Sequence, residues 1–196
     1  MVQKRFATEK VGNVVSLDSK TQIIEYSDLP ESIARATNPD GSLKLWAGNI
    51  AVHVFDVDFL ESCSKRFDAL PFHRAHKAVK YIDEHGVSHT PAEPNAIKLE
   101  RFVFDLLPVA NNALVVEACA SEAFAPLKNA SGSPTDSPET CKAAIVELHR
   151  RWLTNAGATI DPNVQVEIHP QWAWDEREVR DRLSRPVSIH ASTYFT

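Results

Sequence analysis

The sequence predicts an α/β domain in which strands and helices alternate along the chain. Runs of apolar and β-branched residues with the length of single strands occur at 11–17, 22–26 and 45–55. Helical spacing of apolar residues follows, most clearly at 137–157. The 196 residues are 43% hydrophobic and 24% charged, which suffices for one sizeable core, or for one domain with part of another.

Charge and cysteine content narrow the class of protein. The net charge is -5, and residues of both signs are scattered along the chain, so no basic stripe favours a nucleic acid or an anionic membrane as a partner. No run approaches the roughly 20 apolar residues of a membrane helix, and the first residues lack the apolar centre of a signal peptide. We therefore expect a cytoplasmic chain. Its three separated cysteines are expected to be reduced thiols: Cys63, Cys119 and Cys141.

The first β-rich segment, VGNVVSLDSKTQIIEYS, predicts a hairpin around Asp18. Gly12 lies at its start, where a residue without a Cβ lets the backbone approach another group. Glu25 closes the second strand, and judged alone it is more often a solvated carboxylate than a ligand-binding one. The next residues, SDLPESIARAT, predict a short helix with Ser27 or Asp28 as its cap and Pro30 in the first turn.

The segment LWAGNIAVHVF at 45–55 predicts a strand that is buried on both faces. In a strand the side chains alternate, so Asn49 and His53 would share one face among apolar neighbours. A buried amide without partners costs on the order of a few kcal/mol, so Asn49 requires protein, water or a ligand as its partner. This face is therefore a candidate cleft wall.

The middle of the chain predicts a helix at 56–67, which has an apolar face of Phe59, Leu60, Cys63 and Phe67, and then a histidine-rich region. The H-x-x-H pair lacks a third ligand at a recognised offset, so solvated loop histidines are a better interpretation than zinc. A strand at 80–83 that enters a hairpin turn at His85-Gly86 is expected. The four histidines are His73, His76, His85 and His89.

Residues 95–110, NAIKLERFVFDLLPVA, predict a helix with a core-facing stripe. Phe104 lies off this stripe and would face a second apolar surface or a pocket, of which secondary packing is the commoner case. NALVVEAC at 112–119 then predicts a buried strand. The predicted stripe consists of Leu99, Phe102, Val103 and Leu106.

The clearest helix begins after Ser137, with Pro138 in its first position, and ends at Gly157. A loop that carries Lys128 precedes it. Downstream, VQVEIH predicts a short strand and WAWDEREVRDRLSRP a charged helix, followed by a tail without a distinct pattern. The apolar face expected for the long helix is Cys141, Ala144, Ile145, Leu148 and Trp152.

Motifs of nucleophilic catalysis are absent from this sequence, which has no G-x-S-x-G and no paired acidic motif. Its six glycines are isolated, so they form no phosphate-binding loop, which needs clustered glycines for converging backbone N–H groups. The residues alone indicate an α/β domain that binds a polar small molecule in a cleft.

Four segments, in this order and spacing, resemble the second half of the eukaryotic UDP-N-acetylglucosamine (UDP-N-acetylhexosamine) pyrophosphorylases. The resemblance covers about residues 11 to 160. Its segments are IIEYSDLP, LWAGNIAVHVF, PNAIKLERFVFDLLP, and FAPLKNA together with DSPETCKAAIVELHRRWLTNAGA.

The resemblance implies part of a nucleotide-diphospho-sugar transferase fold, with a Rossmann-like mixed sheet and without its N-terminal nucleotide-binding half. It implies a uridylyltransferase reaction, in which UTP and N-acetylglucosamine 1-phosphate give UDP-N-acetylglucosamine and pyrophosphate. Magnesium is the implied cofactor, and its ligands are expected outside this chain. Such a reaction depends on alignment and charge neutralisation.

The resemblance also implies roles for individual residues. Gly12 matches the glycine whose backbone N–H approaches the amino sugar, and Glu25 the carboxylate that accepts hydrogen bonds from sugar hydroxyls. Asn49 matches a sugar-contacting asparagine. Lys128 matches the lysine that faces the phosphates, where a point charge is suited to both catalysis and substrate binding. The aromatics that line the sugar pocket are matched by Phe102 and Phe104, although core packing explains Phe102 equally well.

The sequence also departs from the family. It has no glycine-rich UTP loop, and IHPQWAWDEREV stands where the family has a Ser-Pro-Leu segment. We therefore expect a sugar-binding half at 1–160, a divergent or truncated region at 161–196, and little catalysis by the isolated chain. The alternatives are a non-catalytic, nucleotide-sugar-binding module, a fragment that depends on a partner chain, and a degenerate domain with an unpaired sheet edge.

Overall fold

The computed structural model describes residues 1–66, 68–183 and 185–196, and it divides into two compact units, 1–117 and 118–196. The predicted helix residue Phe67 lies outside the described residues. The sequence-based boundary at 160 marks where the family resemblance ends, and it stays a prediction. None of the described helices is long and apolar enough to span a membrane.

Within the described residues, the first unit contains eight strands, two α-helices and one 3-10 helix. In chain order they are β1 Val2–Gln3, β2 Gly12–Leu17, β3 Lys20–Ile24, α1 Glu31–Ala34, β4 Ala47–Asn49, α2 Val57–Ser64, β5 His73–Lys77, β6 Tyr81–Ile82, β7 Ser88–His89, β8 Ala96–Glu100 and the 3-10 helix Val103–Val109.

A four-stranded sheet of order β1-β4-β2-β3 organises this unit, and all of its pairs are antiparallel. The predicted hairpin is confirmed as β2 and β3. Asp18 and Ser19 both adopt positive φ angles between them, of 50° and 60°, as a tight two-residue turn requires. The smaller antiparallel pairs are β5 with β8 and β6 with β7, which confirms the second predicted hairpin.

Of the predicted strand at 45–55, only Ala47–Asn49 forms a strand. The Asn49 side chain accepts a hydrogen bond from the backbone N–H of Ala51 (3.0 Å), and Ala51 takes a left-handed φ of 59°. This local bond competes with strand pairing and ends β4. Consequently Val52 and Val54, which were expected to be buried, are 72% and 96% exposed.

The predicted helix at 95–110 is also wrong. Its first part forms β8, which pairs with β5, and only 103–109 is helical, with 3-10 geometry. Pro108 has no N–H to donate within a helix, which weakens any α-helix through this position. Of the predicted stripe, Leu106 is buried, whereas Leu99 and Val103 are 55% and 44% exposed.

Residues 112–119 form no strand, although their composition predicts a buried one. Leu114 is 91% exposed and Val116 is 71% exposed. A strand requires a ladder of backbone hydrogen bonds to a neighbour. The Met1 amino group donates to the carbonyl of Val116 at 2.8 Å, and this single bond makes no ladder.

The helices predicted at 27–37 and 56–67 are confirmed in position but not in every detail. Helix α1 has Pro30, rather than Ser27 or Asp28, at its N-cap. Helix α2 is capped by Asp56, whose side chain accepts from the backbone N–H of Asp58.

The second unit packs one long helix against two parallel strand pairs and a short helix. Its elements are α3 Ala120–Ala123, α4 Pro138–Asn155, β9 Thr159–Ile160, β10 Val166–Ile168, α5 Glu176–Arg182, β11 Ser188–Ile189 and β12 Thr193–Phe195. Its buried core consists of Leu153, Ala158, Val166, Ile168, Ala173, Val179 and Ile189.

Helix α4 begins and ends as predicted, with a capping box between Ser137 and Thr140 and with Gly157 beyond its C-terminus. Its expected apolar face is partly wrong, since Ile145 is exposed and Leu153 is fully buried. The tail is wrong too, because it supplies β11, which pairs with β9, and β12, which pairs with β10.

Candidate functional site

Three of the predicted site residues meet on one side of the four-stranded sheet. Gly12 in β2 lies opposite Asn49 in β4, and Glu25 directly follows β3. A Cβ placed on Gly12 would lie 2.8 Å from Glu25 Oε1 and 3.6 Å from Asn49 Cβ. The structure therefore brings a carboxylate and an amide together above a residue without a side chain.

Gly12 is required by this close approach and not by an unusual backbone angle. The same Cβ would also lie 2.8 Å from Cγ2 of Ile23, a buried side chain. Contacts below about 3.5 Å between carbon atoms are repulsive. Any larger residue would displace Glu25 or Ile23.

Asn49 uses only part of its hydrogen-bonding capacity within the described protein. Its Oδ1 atom accepts from the Ala51 backbone, as noted above. The Nδ2 group can donate two further bonds, and no acceptor in the described residues takes them. Asn49 therefore has a protein partner for its Oδ1 atom, and its Nδ2 group is left as a donor for a ligand.

A row of rings lies on the segments that follow β4 and β8. Phe102 and Phe104 stack at 4.7 Å with an angle of 10° between their planes, and Phe104 lies 6.2 Å from His53. Phe104 is buried and Phe102 is half-buried. The 3-10 helix packs against β3, the strand that leads to Glu25. The two predicted phenylalanines therefore act as one stacked apolar wall.

The neutral form of His53 is favoured in this row. Burial first, and then the positive N-terminus, lower the pKa of His53 below its ordinary value. Its Nε2 atom is buried and has no hydrogen-bond partner within the described residues. An unsatisfied buried nitrogen costs on the order of 1–3 kcal/mol, so this position is held by its surroundings rather than by its own bonds.

The predicted solvated loop histidines are confirmed at His85, which is exposed in a turn. His76 is exposed too but lies in β5, and His73 is partly buried. His73 lies in β5, and its Nε2 atom is 2.8 Å from Asp105 Oδ2. Its Nδ1 atom lies 3.4 Å from Asp28 Oδ2, and its ring meets Phe102 edge-on at 4.9 Å. His89 is bonded to Asp83 at 2.7 Å. In the described part of the chain, no cluster of three or more His, Cys, Asp or Glu side chains could hold a metal ion.

Sequence reasoning missed this His73 bridge because its three members lie in separate segments of the chain. The one local signal is that an aspartate follows three residues after each of two predicted site residues, Glu25 and Phe102. No spacing rule connects those aspartates with His73.

Lys128 belongs to the second unit, in the loop that leads into α4. The backbone N–H groups of Lys128 and Asn129 donate to the carbonyl of Asp136, at 2.8 and 2.9 Å. This closes the loop on the residue before the helix cap, while the Lys128 side chain is exposed. The exposed ammonium is thus available to an anionic ligand.

The opposite side of the sheet carries a buried polar cluster. Lys4 Nζ donates to Asn13 Oδ1 and to the carbonyl of Ala7, each at 2.8 Å, and Asn13 is 1% exposed. Burial lowers the pKa of Lys4, and the charge of Glu9 partly offsets this effect. These residues border a cleft of about 370 Å³. The cluster holds the first strands together from within.

The three cysteines are unpaired in the structure, as their spacing predicts. Cys63 is buried, whereas Cys119 is exposed, and the Sγ atom of Cys141 donates to the carbonyl of Ala125.

Comparison with known proteins places this geometry in context. The chain is 39% identical over 173 residues to the human UDP-N-acetylhexosamine pyrophosphorylase-like protein 1. This alignment covers 88% of the chain and 33% of the human protein. It is 39% identical over 171 residues to the UDP-N-acetylglucosamine pyrophosphorylase of Saccharomyces cerevisiae, covering 85% of this chain and 36% of that one. No protein-family model matches the sequence.

The solved structures agree with the sequence relatives. A protein from Entamoeba histolytica that is assigned as a UDP-N-acetylglucosamine pyrophosphorylase superposes with a TM-score of 0.81 and 27% identity. The match covers all of this chain and 48% of that chain. The chain therefore spans about a third of the length of its curated relatives and about half of this structural neighbour.

Proposed function

We propose that this chain, which is homologous to one part of the UDP-N-acetylglucosamine pyrophosphorylases, supplies the sugar-binding half of a uridylyltransferase. The reaction forms UDP-N-acetylglucosamine and pyrophosphate from UTP and N-acetylglucosamine 1-phosphate. The observation that carries the proposal is the meeting of Gly12, Glu25 and Asn49 on one side of the sheet.

The chemistry of the three residues suits an amino sugar. A carboxylate accepts hydrogen bonds from hydroxyl groups, so Glu25 is suited to fix the orientation of the ring. The free Nδ2 group of Asn49 can donate to a carbonyl or hydroxyl oxygen. The stacked pair of Phe102 and Phe104 offers an apolar surface, which polar pockets use to exclude water from a ligand. We assign these residues to sugar binding.

Lys128 is proposed to face the phosphates of the substrate and to neutralise charge there, in the transition state as well as in the complex. A flexible ammonium needs no fixed geometry to do so. We also propose that the reaction requires magnesium, but the described residues do not fit a metal site, so we derive no step through it. Location in the cytoplasm stays a prediction of the sequence.

The proposal separates binding from turnover. The glycines of this sequence are isolated from one another, so they cannot form the loop that cradles a triphosphate. We therefore expect the 196-residue chain to bind the nucleotide sugar but to turn over little substrate by itself. A non-catalytic binding module would behave in the same way by itself. The two proposals differ when a chain that carries a phosphate-binding loop is added, because only the first then yields pyrophosphate.

The test is calorimetric titration of the purified chain with UDP-N-acetylglucosamine, with and without magnesium. Asn49→Ala is expected to weaken binding by about tenfold or more, which corresponds to the loss of one buried hydrogen bond. Asn49→Asp keeps the acceptor that ends β4 but removes the donor, so it is expected to lose binding while it remains folded.

The control is Asn111→Ala, which changes an exposed asparagine of the same unit. It is expected to bind as the unmodified chain does. If a folded chain does not bind, or if Asn49→Asp binds normally, the assignment of this sheet face to the sugar is refuted.

A further inference from the structure

The imidazole of His73 contacts two carboxylates that belong to different segments. Asp105 lies in the 3-10 helix at 2.8 Å from Nε2, and Asp28 lies in the loop between β3 and α1 at 3.4 Å from Nδ1. The side chain of His73 is 24% exposed and that of Asp105 is 15% exposed. Three separate parts of the first unit therefore meet at one ring.

Each of the two aspartates forms a backbone hydrogen bond with a residue that we assign to sugar binding. The N–H of Asp28 donates to the carbonyl of Glu25 at 3.0 Å, and the N–H of Asp105 donates to the carbonyl of Phe102 at 3.1 Å. These are two short turns with the same three-residue separation. A movement of Asp28 or Asp105 is therefore transmitted to Glu25 or Phe102, one turn away.

We infer that His73 is a positioning residue, which joins the turn that carries Glu25 to the turn that carries Phe102 and so sets the width of the sugar pocket. This inference rests on the proposed function. His73 itself touches the wall only through the edge of the Phe102 ring, so it acts on a ligand through the segments it joins.

The bridge depends on the charge of the imidazole, because two carboxylates each need a donor from the ring. Only the protonated ring donates from both nitrogens. The charged groups near His73 are Asp28, Asp105 and Glu100, its cross-strand partner in β8. Glu100 is paired with Lys98 and also lies in the field of Lys77. Three carboxylates therefore stand against two lysines, and the two that contact the ring favour its protonated form.

The pKa of His73 agrees with this geometry. Partial burial lowers the pKa, but the hydrogen bonds and charges of Asp105 and then of Asp28 raise it above the ordinary value of 6.5. For a raised pKa, the stabilisation is fully present below about pH 6.5 and is lost as the pH rises through the value in the folded protein. The pocket should therefore loosen on the alkaline side.

The first measurement needs no ligand. The Cε1–H signal of His73 and the backbone amide signals of Glu25, Asp28, Phe102 and Asp105 are followed by NMR from about pH 6 to about pH 8.5. We expect one shared midpoint above 6.5. His73→Gln should abolish the step at all four amides, whereas His76→Gln, which removes an exposed histidine of the same strand, should preserve it.

The second measurement is the affinity for UDP-N-acetylglucosamine over the same pH range. We expect affinity to fall about three- to tenfold through the His73 midpoint in the unmodified chain and in His76→Gln. In His73→Gln it should be weak and independent of pH. Should that variant fail to fold, Asp28→Asn, at a side chain that is 46% exposed, weakens the same bridge.

The two measurements separate the inference from the proposed function. Unrelated midpoints in the two turns, or a step that persists in His73→Gln, overturns the role of His73 whether or not the ligand binds. Complete absence of binding refutes the proposed function, and the titration then decides the inference by itself. A shared midpoint with pH-independent binding would also overturn it, since the bridge would then not set the pocket.

Discussion

The sharpest prediction concerns Gly12→Ala, a change of one methyl group at the point where the candidate site is most crowded. The added Cβ would lie 2.8 Å from Ile23 Cγ2 and 2.8 Å from Glu25 Oε1. These two neighbours respond differently. The oxygen ends a flexible side chain and can move, whereas Ile23 is buried and β-branched and cannot easily turn aside.

The stability and binding effects therefore have different sources. The contact with Ile23 overpacks the sheet and should cost about 1–3 kcal/mol. Replacing glycine in a strand recovers roughly 0.5–1 kcal/mol, so the net destabilisation is up to about 2.5 kcal/mol. Displacement of the Glu25 carboxylate removes charge-assisted hydrogen bonds to the ligand, which should weaken binding by about tenfold or more.

Amide hydrogen exchange in β2 and β3 measures the free energy of opening of the first unit separately from the second. Calorimetric titration with UDP-N-acetylglucosamine measures the affinity. In an Ile23→Ala background the cost of Gly12→Ala should shrink, because the methyl group fills the space that was created.

Gly48→Ala is the matched control, since it adds a methyl group to the same sheet with no atom closer than 3.1 Å. It should be the milder change in stability and should leave the affinity unaltered. If Gly12→Ala matches it in both measurements, the close approach at Gly12 does not shape the site, and the geometric basis of the proposed function fails.

Two further predictions concern the second unit. Leu153→Ala truncates a side chain with 0% exposure and should destabilise this unit by about 2–5 kcal/mol in denaturant unfolding. Ile145→Ala, on the same helix at 40% exposure, should cost well under half as much. Equal costs would contradict the assigned core. The Ser131 hydroxyl first, with further hydrogen bonds that include the backbone N–H of Gly132, lowers the pKa of Glu139 to about 2. The stability that this lowered pKa contributes is present above about pH 4.3, the ordinary pKa of a glutamate, and is lost as the pH falls through about 2. The Gly132 amide signal should therefore change near pH 2 and not near pH 4.

Local features were predictable from the sequence because their causes lie within a few residues. The hairpin of β2 and β3 follows from two β-rich runs on either side of a tight turn. The limits of α4 follow from Ser137 and Pro138 at its start and from Gly157, whose φ of +97° suits a residue without a side chain. The site residues Gly12, Glu25 and Asn49 were also chosen from sequence, through a family resemblance together with the unsatisfied amide.

Features that depend on a distant partner were decided only by the tertiary structure. Residues 96–100 satisfy a helical pattern, yet they form a strand because β5 offers them backbone hydrogen bonds. Asn49 was placed on a strand face, but its own side chain ends that strand.

The bridge at His73 joins groups that are 45 and 32 residues away in the chain. Periodicity and spacing record only neighbours along the chain, whereas a hydrogen bond depends on distance in space. Sequence by itself therefore determined which residues are available for a polar, sugar-sized site, and the packing of β3, β4 and the 3-10 helix decided how they are arranged around it.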